Sequence, residues 1–281
     1  MKLKELGRFL LEAATWKDED YFLQAVADGD AAQVQRLLKT GKNVDPEARY
    51  SDGYTPLMVA VANGHLGVAE ILLERGAKVN ARNNNGETAL HRAIREVNPA
   101  AVQLLLSYGA NASMKGQHGA TPRLLAAFFG SEEIFANLDP SPTDSETHLR
   151  LMLAAARGDL QDLEAMLNNE VDPNVGATTG FTALLAACYH SQEETATSLL
   201  GRGADVNIRT RNGRSALMFA ARDGNHRLIQ LLTSKGAVVG VRDVEGCSAR
   251  DYAERGGSTE CVALLDSLAT EFVTRRDKRG T

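Results

Sequence analysis

Six histidines and three cysteines are the residues here best suited to ligate a metal, move a proton or attack an electrophile. A zinc site takes such ligands in pairs at short fixed spacing, and an activated nucleophile needs its base within hydrogen-bond reach. The chain shows neither layout. His65, His91, His118, His148, His190 and His226 are scattered, and Cys188, Cys247 and Cys261 are an odd set without ligand spacing. There is no HExxH, no glycine-rich phosphate loop and no GxSxG elbow. The reading is therefore no enzyme, no cofactor and no metal. Free thiols suit a reducing compartment, so the expected location is cytoplasmic. A formal net charge of -5 argues against general attraction to nucleic acid or to an anionic membrane. No apolar run approaches the roughly 18–20 residues that span a bilayer.

Self-similarity says more than these residues do. "TPLMVA" begins at Thr55, "TALHRA" at Thr88 and "TPRLLA" at Thr121, with 33 residues from each to the next. "TALLAA" at Thr182, "SALMFA" at Ser215 and "SARDYA" at Ser248 keep the same period. A degenerate copy from Leu149 fills the longer gap between Thr121 and Thr182, and "YFLQAVADGD" supplies another upstream, which makes eight units.

Each unit reads as two antiparallel helices and a turn. Thr55 and Thr121 stand where an N-cap is wanted, and Pro56 and Pro122 follow at the first helical position, where a missing N–H costs nothing. Leu57, Ala60 and Val61 offer an apolar face, and Gly64 breaks the chain before a second helix that turns Val68, Ile71, Leu72 and Leu73 inward. Gly76, Gly109, Gly203 and Gly236 fit left-handed C-caps, and Ser191 with Glu194 reads as a capping box. "AKVNARNNNGET" and "ADVNIRTRNGRS" read as extended residues around a turn. One unit cannot bury its own apolar face, so the units must stack into a solenoid.

The sequence closely resembles the ankyrin repeat family, through the 33-residue period, "TPLMVAVANGHLGVAEILLERGAKVNA" and "GADVN" at Gly203 to Asn207. The resemblance covers about Asp18 to Asp266. It implies an all-α repeat solenoid of helix–turn–helix units with short β-hairpin fingers and an L-shaped cross-section. It also implies protein binding through the finger tips and the concave face of the first helices. Leu199, Asp205, Val206 and Asn207 further resemble a site of asparaginyl hydroxylation, although the same residues are the structural consensus.

"AAFFGSEEIFANLDPSPTDSE", Ala126 to Glu146, then reads as a repeat cut short. Its second helix is expected to start at a Ser131 cap and stop near Leu138, with "DPSPTDSE" replacing a finger because Pro140 and Pro142 lack ladder N–H groups. The expected organisation is a capping helix at 1–17, repeats 1–4 at 18–138, an irregular connection at 139–146, repeats 5–8 with a C-terminal cap at 147–272, and a basic, frayed tail at 273–281. Two four-unit arrays joined by a hinge are the alternative.

Carried onto this chain, the family's groove and fingertip positions give a candidate partner-binding surface. Tyr54, Asn63, Glu87 and Arg95 form a polar set, and Phe128, Phe129, Phe181, Tyr189 and His190 an aromatic centre. Arg157, Arg211, Arg214 and Arg222, with Arg209 nearby, make a basic strip. Phe128 or Phe129 folding back into the core is the competing reading, as is an ordinary solvated face for the arginines. The expected function is a non-catalytic adaptor or scaffold, monomeric on its own, that binds a protein with an apolar segment and an acidic flank. A dedicated cytosolic antagonist of an enzyme or toxin is the alternative.

Overall fold

A computed structural model describes residues 18–40, 44–50, 52–116, 119–138, 145–176 and 180–277, with side chains to residue 270. Two compact units divide the chain within its fourth repeat: Met1–Leu125 with Ala136–Asp139, and Ala126–Phe135 with Pro140–Thr281. In the first unit α1 (Asp18–Asp28) pairs with α2 (Ala31–Thr40), α3 (Pro56–Ala62) with α4 (Leu66–Glu74), and α5 (Ala89–Arg95) with α6 (Pro99–Ser107). The boundary crosses the short pair α7 (Pro122–Phe128) and α8 (Glu132–Ala136). The second unit continues with α9 (Glu146–Arg157) and α10 (Leu160–Asn168), α11 (Ala183–Tyr189) and α12 (Glu193–Gly201), and α13 (Ala216–Arg222) and α14 (His226–Ser234). It ends with α15 (Ala249–Arg255) and α16 (Thr259–Asp277).

Most first helices have only seven residues, too few to be stable alone in water. Caps and burial hold them. Thr55, Thr182 and Ser215 each accept the backbone N–H three residues on, and Thr121 accepts that of Leu124. Pro56 to Val61 in α3 and Ala183 to Cys188 in α11 are buried without a polar stripe, since each of these two packs on first helices at both sides and on its own second helix. Burying that apolar surface is worth about 25 cal/mol per Å². The second helices keep one wet face: in α4, Val68, Ala69, Leu72 and Leu73 are buried while Glu70 and Glu74 are exposed.

The fingers are tighter than the hairpins expected. Among the described residues no strand forms, and only the isolated bridges Arg209–Ser215 and Arg242–Ser248 appear. A turn with two backbone bonds recurs instead, as Asn83 N–H to Glu87 O with Gly86 N–H to Asn83 O, and as Asp243 N–H to Cys247 O with Gly246 N–H to Asp243 O. Glycine is needed there because φ is +75° at Gly86 and +78° at Gly246. Polar side chains stitch finger to finger. Asn80, Asn174 and Asn207 each donate Nδ2–H to a glycine carbonyl of the next repeat and accept that repeat's N–H on Oδ1.

Three expectations change. Ser191 is no cap: α12 begins after Gln192, and Ser191 sits at φ +56° in the register held by Gly64 and Gly224. The serine takes the turn position that glycine fills elsewhere, which leaves Gln192 next to the helix. The fourth repeat's second helix ends at Ala136, short of Leu138. The tail expected from residue 273 is helical to Asp277. The capping segment 1–17, Pro140 and Pro142 with most of the connection, and residues 278–281 lie outside the described residues.

Candidate functional site

Four of the histidines are spent on the fold. His65 donates Nε2–H to Ala27 O at 3.1 Å, His148 to Phe181 O at 2.8 Å and His190 to Phe128 O at 3.0 Å, each joining two repeats. His91 Nδ1 accepts the Thr88 N–H at 3.2 Å while its Nε2 meets Ala120 O at 3.3 Å. Burial lowers the His91 and His190 pKa values and keeps both rings neutral. His118 lies outside the described residues. Asp243, Glu245 and Cys247 place three donor atoms within 4.8 Å, but the Asp243 carboxylate is already engaged. It accepts from the Tyr252 hydroxyl at 2.6 Å and from the N–H groups of Glu245 and Cys247. Burial pushes the Asp243 pKa up, and these hydrogen bonds outweigh it, so the carboxyl sits below its usual value. That is turn chemistry.

The expected aromatic centre does assemble, within the second unit. Phe128 meets Phe181 edge-on with ring centroids 5.3 Å apart and Tyr189 at the same distance, and Phe129 meets Tyr189 at 5.6 Å. Register explains the meeting. Phe128, Ala156 and Tyr189 hold the same place in three successive repeats, and the small buried Ala156 leaves room for the rings on either side of it. The two phenylalanines touch edge-on with ring centroids 5.5 Å apart but differ in exposure. Phe128 is buried at 4% exposure, a correction to its reading as surface, whereas Phe129, Phe181, Tyr189 and His190 stay half-buried. The Arg222 guanidinium lies 4.5 Å from the Tyr189 ring centroid and 5.7 Å from that of Phe219.

Phe219, 5.4 Å from Tyr189, completes the cluster and was missed in the sequence. Its spacing could have found it, since it precedes Arg222 by three residues and shares its helical face.

The other candidates divide differently. Glu87 is buried and ion-paired to Arg95 at 2.7 Å, and Asn63 donates Nδ2–H to Ala27 O at 3.0 Å. Both are internal ties of the first unit, and the burial of Glu87 is a correction to its reading as a surface residue. Tyr54 is half-buried, with the Arg92 guanidinium 5.6 Å from its ring centroid. The basic strip breaks up as well. Arg157 pairs with Glu132, Arg214 with Glu245 at 3.4 Å and Arg222 with Asp223 at 2.7 Å. Arg211 stays exposed.

Comparison with known protein families agrees with the repeat architecture. A family model described as "Ankyrin repeats (3 copies)" matches residues 22–116, 124–210, 151–243 and 192–276. The chain is similar to "Ankyrin repeat, SAM and basic leucine zipper domain-containing protein 1" of Carollia perspicillata, 39% identical over 66 residues, 24% of this chain and 14% of that protein. The Equus caballus protein of that name is 42% identical over 59 residues, 21% of this chain and 12% of its own length. The match therefore spans only a small part of either relative. Among solved structures, the human ASB11 ankyrin repeat domain is similar at 26% identity and a TM-score of 0.41, covering 87% of this chain and 96% of that one.

Proposed function

This chain belongs to the ankyrin repeat family, whose repeats are generally protein–protein interaction modules and typically non-catalytic, and from that premise we propose that it is an adaptor or scaffold. Its docking face is the aromatic cluster of the second unit. The supporting observation is that Phe129, Phe181 and Tyr189 remain half-buried around a buried Phe128 that packs them in place. Rings already fixed by neighbours lose little freedom on binding, and aromatic anchors ringed by polar groups carry most of the energy in many interfaces. The partner is a protein that lays an apolar segment on this face. The working location is the cytoplasm, in keeping with three free buried thiols. No helix among the described residues is long and apolar enough to cross a membrane.

Affinity capture from native lysate, wild type against Phe129→Ala, tests the reading, followed by reconstitution with the purified partner. A partner that depends on Phe129 supports it, and one captured equally well by a folded variant moves the site elsewhere. A one-to-one complex that abolishes the partner's own activity would make the chain an antagonist.

A further inference from the structure

The finger arginines are used unevenly. Arg49 and Arg82 occupy one register and each ties its finger to the next, donating to Arg82 O at 2.6 Å and to Lys115 O at 2.8 Å. Arg209 and Arg242 hold that register in the second unit. Arg242 donates to Gly246 O within its own finger. Arg209 makes no such bond. It is exposed, as is Arg211, and neither has a hydrogen-bond or ion-pair partner among the described residues. Both line a groove of about 460 Å³ between the last two fingers, with Thr210, Gly213, Arg242 and Val244. Asp243 lines it too, but its carboxylate is buried and engaged.

Arg209 also lines a neighbouring cavity of about 250 Å³, whose walls include Val206, Leu217, Ala237, Val238 and Val241. Val238 is 46% exposed and Val244 73%, although the fingertip places matching Val244 are Ser51, Asn84 and Arg211. An apolar tip beside two unspent guanidiniums is unfavourable as a bare surface and complementary to one kind of ligand.

We propose that the groove between the last two fingers binds an acidic peptide segment of a partner, with carboxylates on Arg209 and Arg211 and an aliphatic side chain in the adjoining valine-lined cavity. This rests on the interaction-module reading but not on the aromatic face. A peptide is favoured over nucleic acid because the cavity is apolar and the whole chain is acidic, with a net charge of -5.

The test is fluorescence anisotropy on the full chain with a labelled hexapeptide carrying one leucine between two glutamates, its ends blocked. The control peptide has glutamines in place of the glutamates. The glutamate peptide should bind at least tenfold tighter, and the preference should shrink as salt rises. The double variant Arg209→Glu/Arg211→Glu changes only exposed side chains without protein partners, so it should keep the wild-type melting temperature and lose at least tenfold in affinity. Phe129→Ala should leave peptide affinity unchanged, which separates failure of this site from failure of the aromatic one. Equal binding of the two peptides, binding untouched by the double reversal, or saturable binding of single-stranded DNA without peptide binding would each overturn the proposal.

Discussion

Adjacent in the chain, Phe128 and Phe129 answer to different demands. Phe128 fills the space above Ala156, so Phe128→Ala should cost about 3–5 kcal/mol, the usual loss for a buried phenylalanine. Phe129→Ala should cost about 1 kcal/mol, near the value of one or two ring contacts. Urea unfolding of the two variants checks the contrast; equal losses would make both rings core. The aromatic stretch was legible in the sequence through repeat register, but which ring faced out was not, because that depends on an alanine 28 residues away. The polar candidates misled for a related reason. Glu87, Asn63 and Arg222 stand at surface places of the repeat, yet each finds a partner within the protein. A second residue-scale prediction concerns strain. Val97 is exposed with φ +48° in the register of Gly64, a conformation that β-branched side chains avoid. Val97→Gly should therefore raise stability by about 1 kcal/mol, and an unchanged or lower denaturation midpoint would speak against strain there.

At the scale of elements, the helical pairs were readable because cap residues, prolines and glycines recur at 33-residue intervals. The fingers were less so. Their shape is set by side chains that close turns and stitch neighbours, such as Asn207, whose amide donates to Gly236 O at 3.1 Å and accepts from Val238 N–H at 3.0 Å. The same two bonds account for this asparagine without any modification. Asn207→Ala leaves the Gly236 carbonyl and the Val238 N–H without that partner and should cost about 1–2 kcal/mol. Thermal melts that show no loss would mean the ladder is decorative. The Ser191 position teaches the same lesson: a serine followed by a glutamate three residues on looks like a capping box, but the repeat's turn needs a left-handed residue first.

At the scale of the whole molecule, stability is a sum over packed neighbours, and the rings of His91 and His190 are among the ties. Burial lowers the pKa of His91 and His190 below the ordinary histidine value of about 6.5. As pH falls through that value the unfolded chain takes up protons that the folded rings refuse. The stabilisation is therefore complete above about pH 6.5 and drains away as pH drops through the folded-state values. Melting temperatures should be lower at pH 5.5 than at pH 7.5, and a flat profile would contradict the assignment. Function belongs to this scale too, since the proposed docking face is built from repeats that are distant in sequence. The most direct measurement is the dissociation constant of the purified partner for wild type and for Phe129→Ala, with matched melting curves. A loss of about thirtyfold or more, the scale of an interface hot spot, is the predicted result. Equal affinity for a folded Phe129→Ala protein would contradict the aromatic docking face.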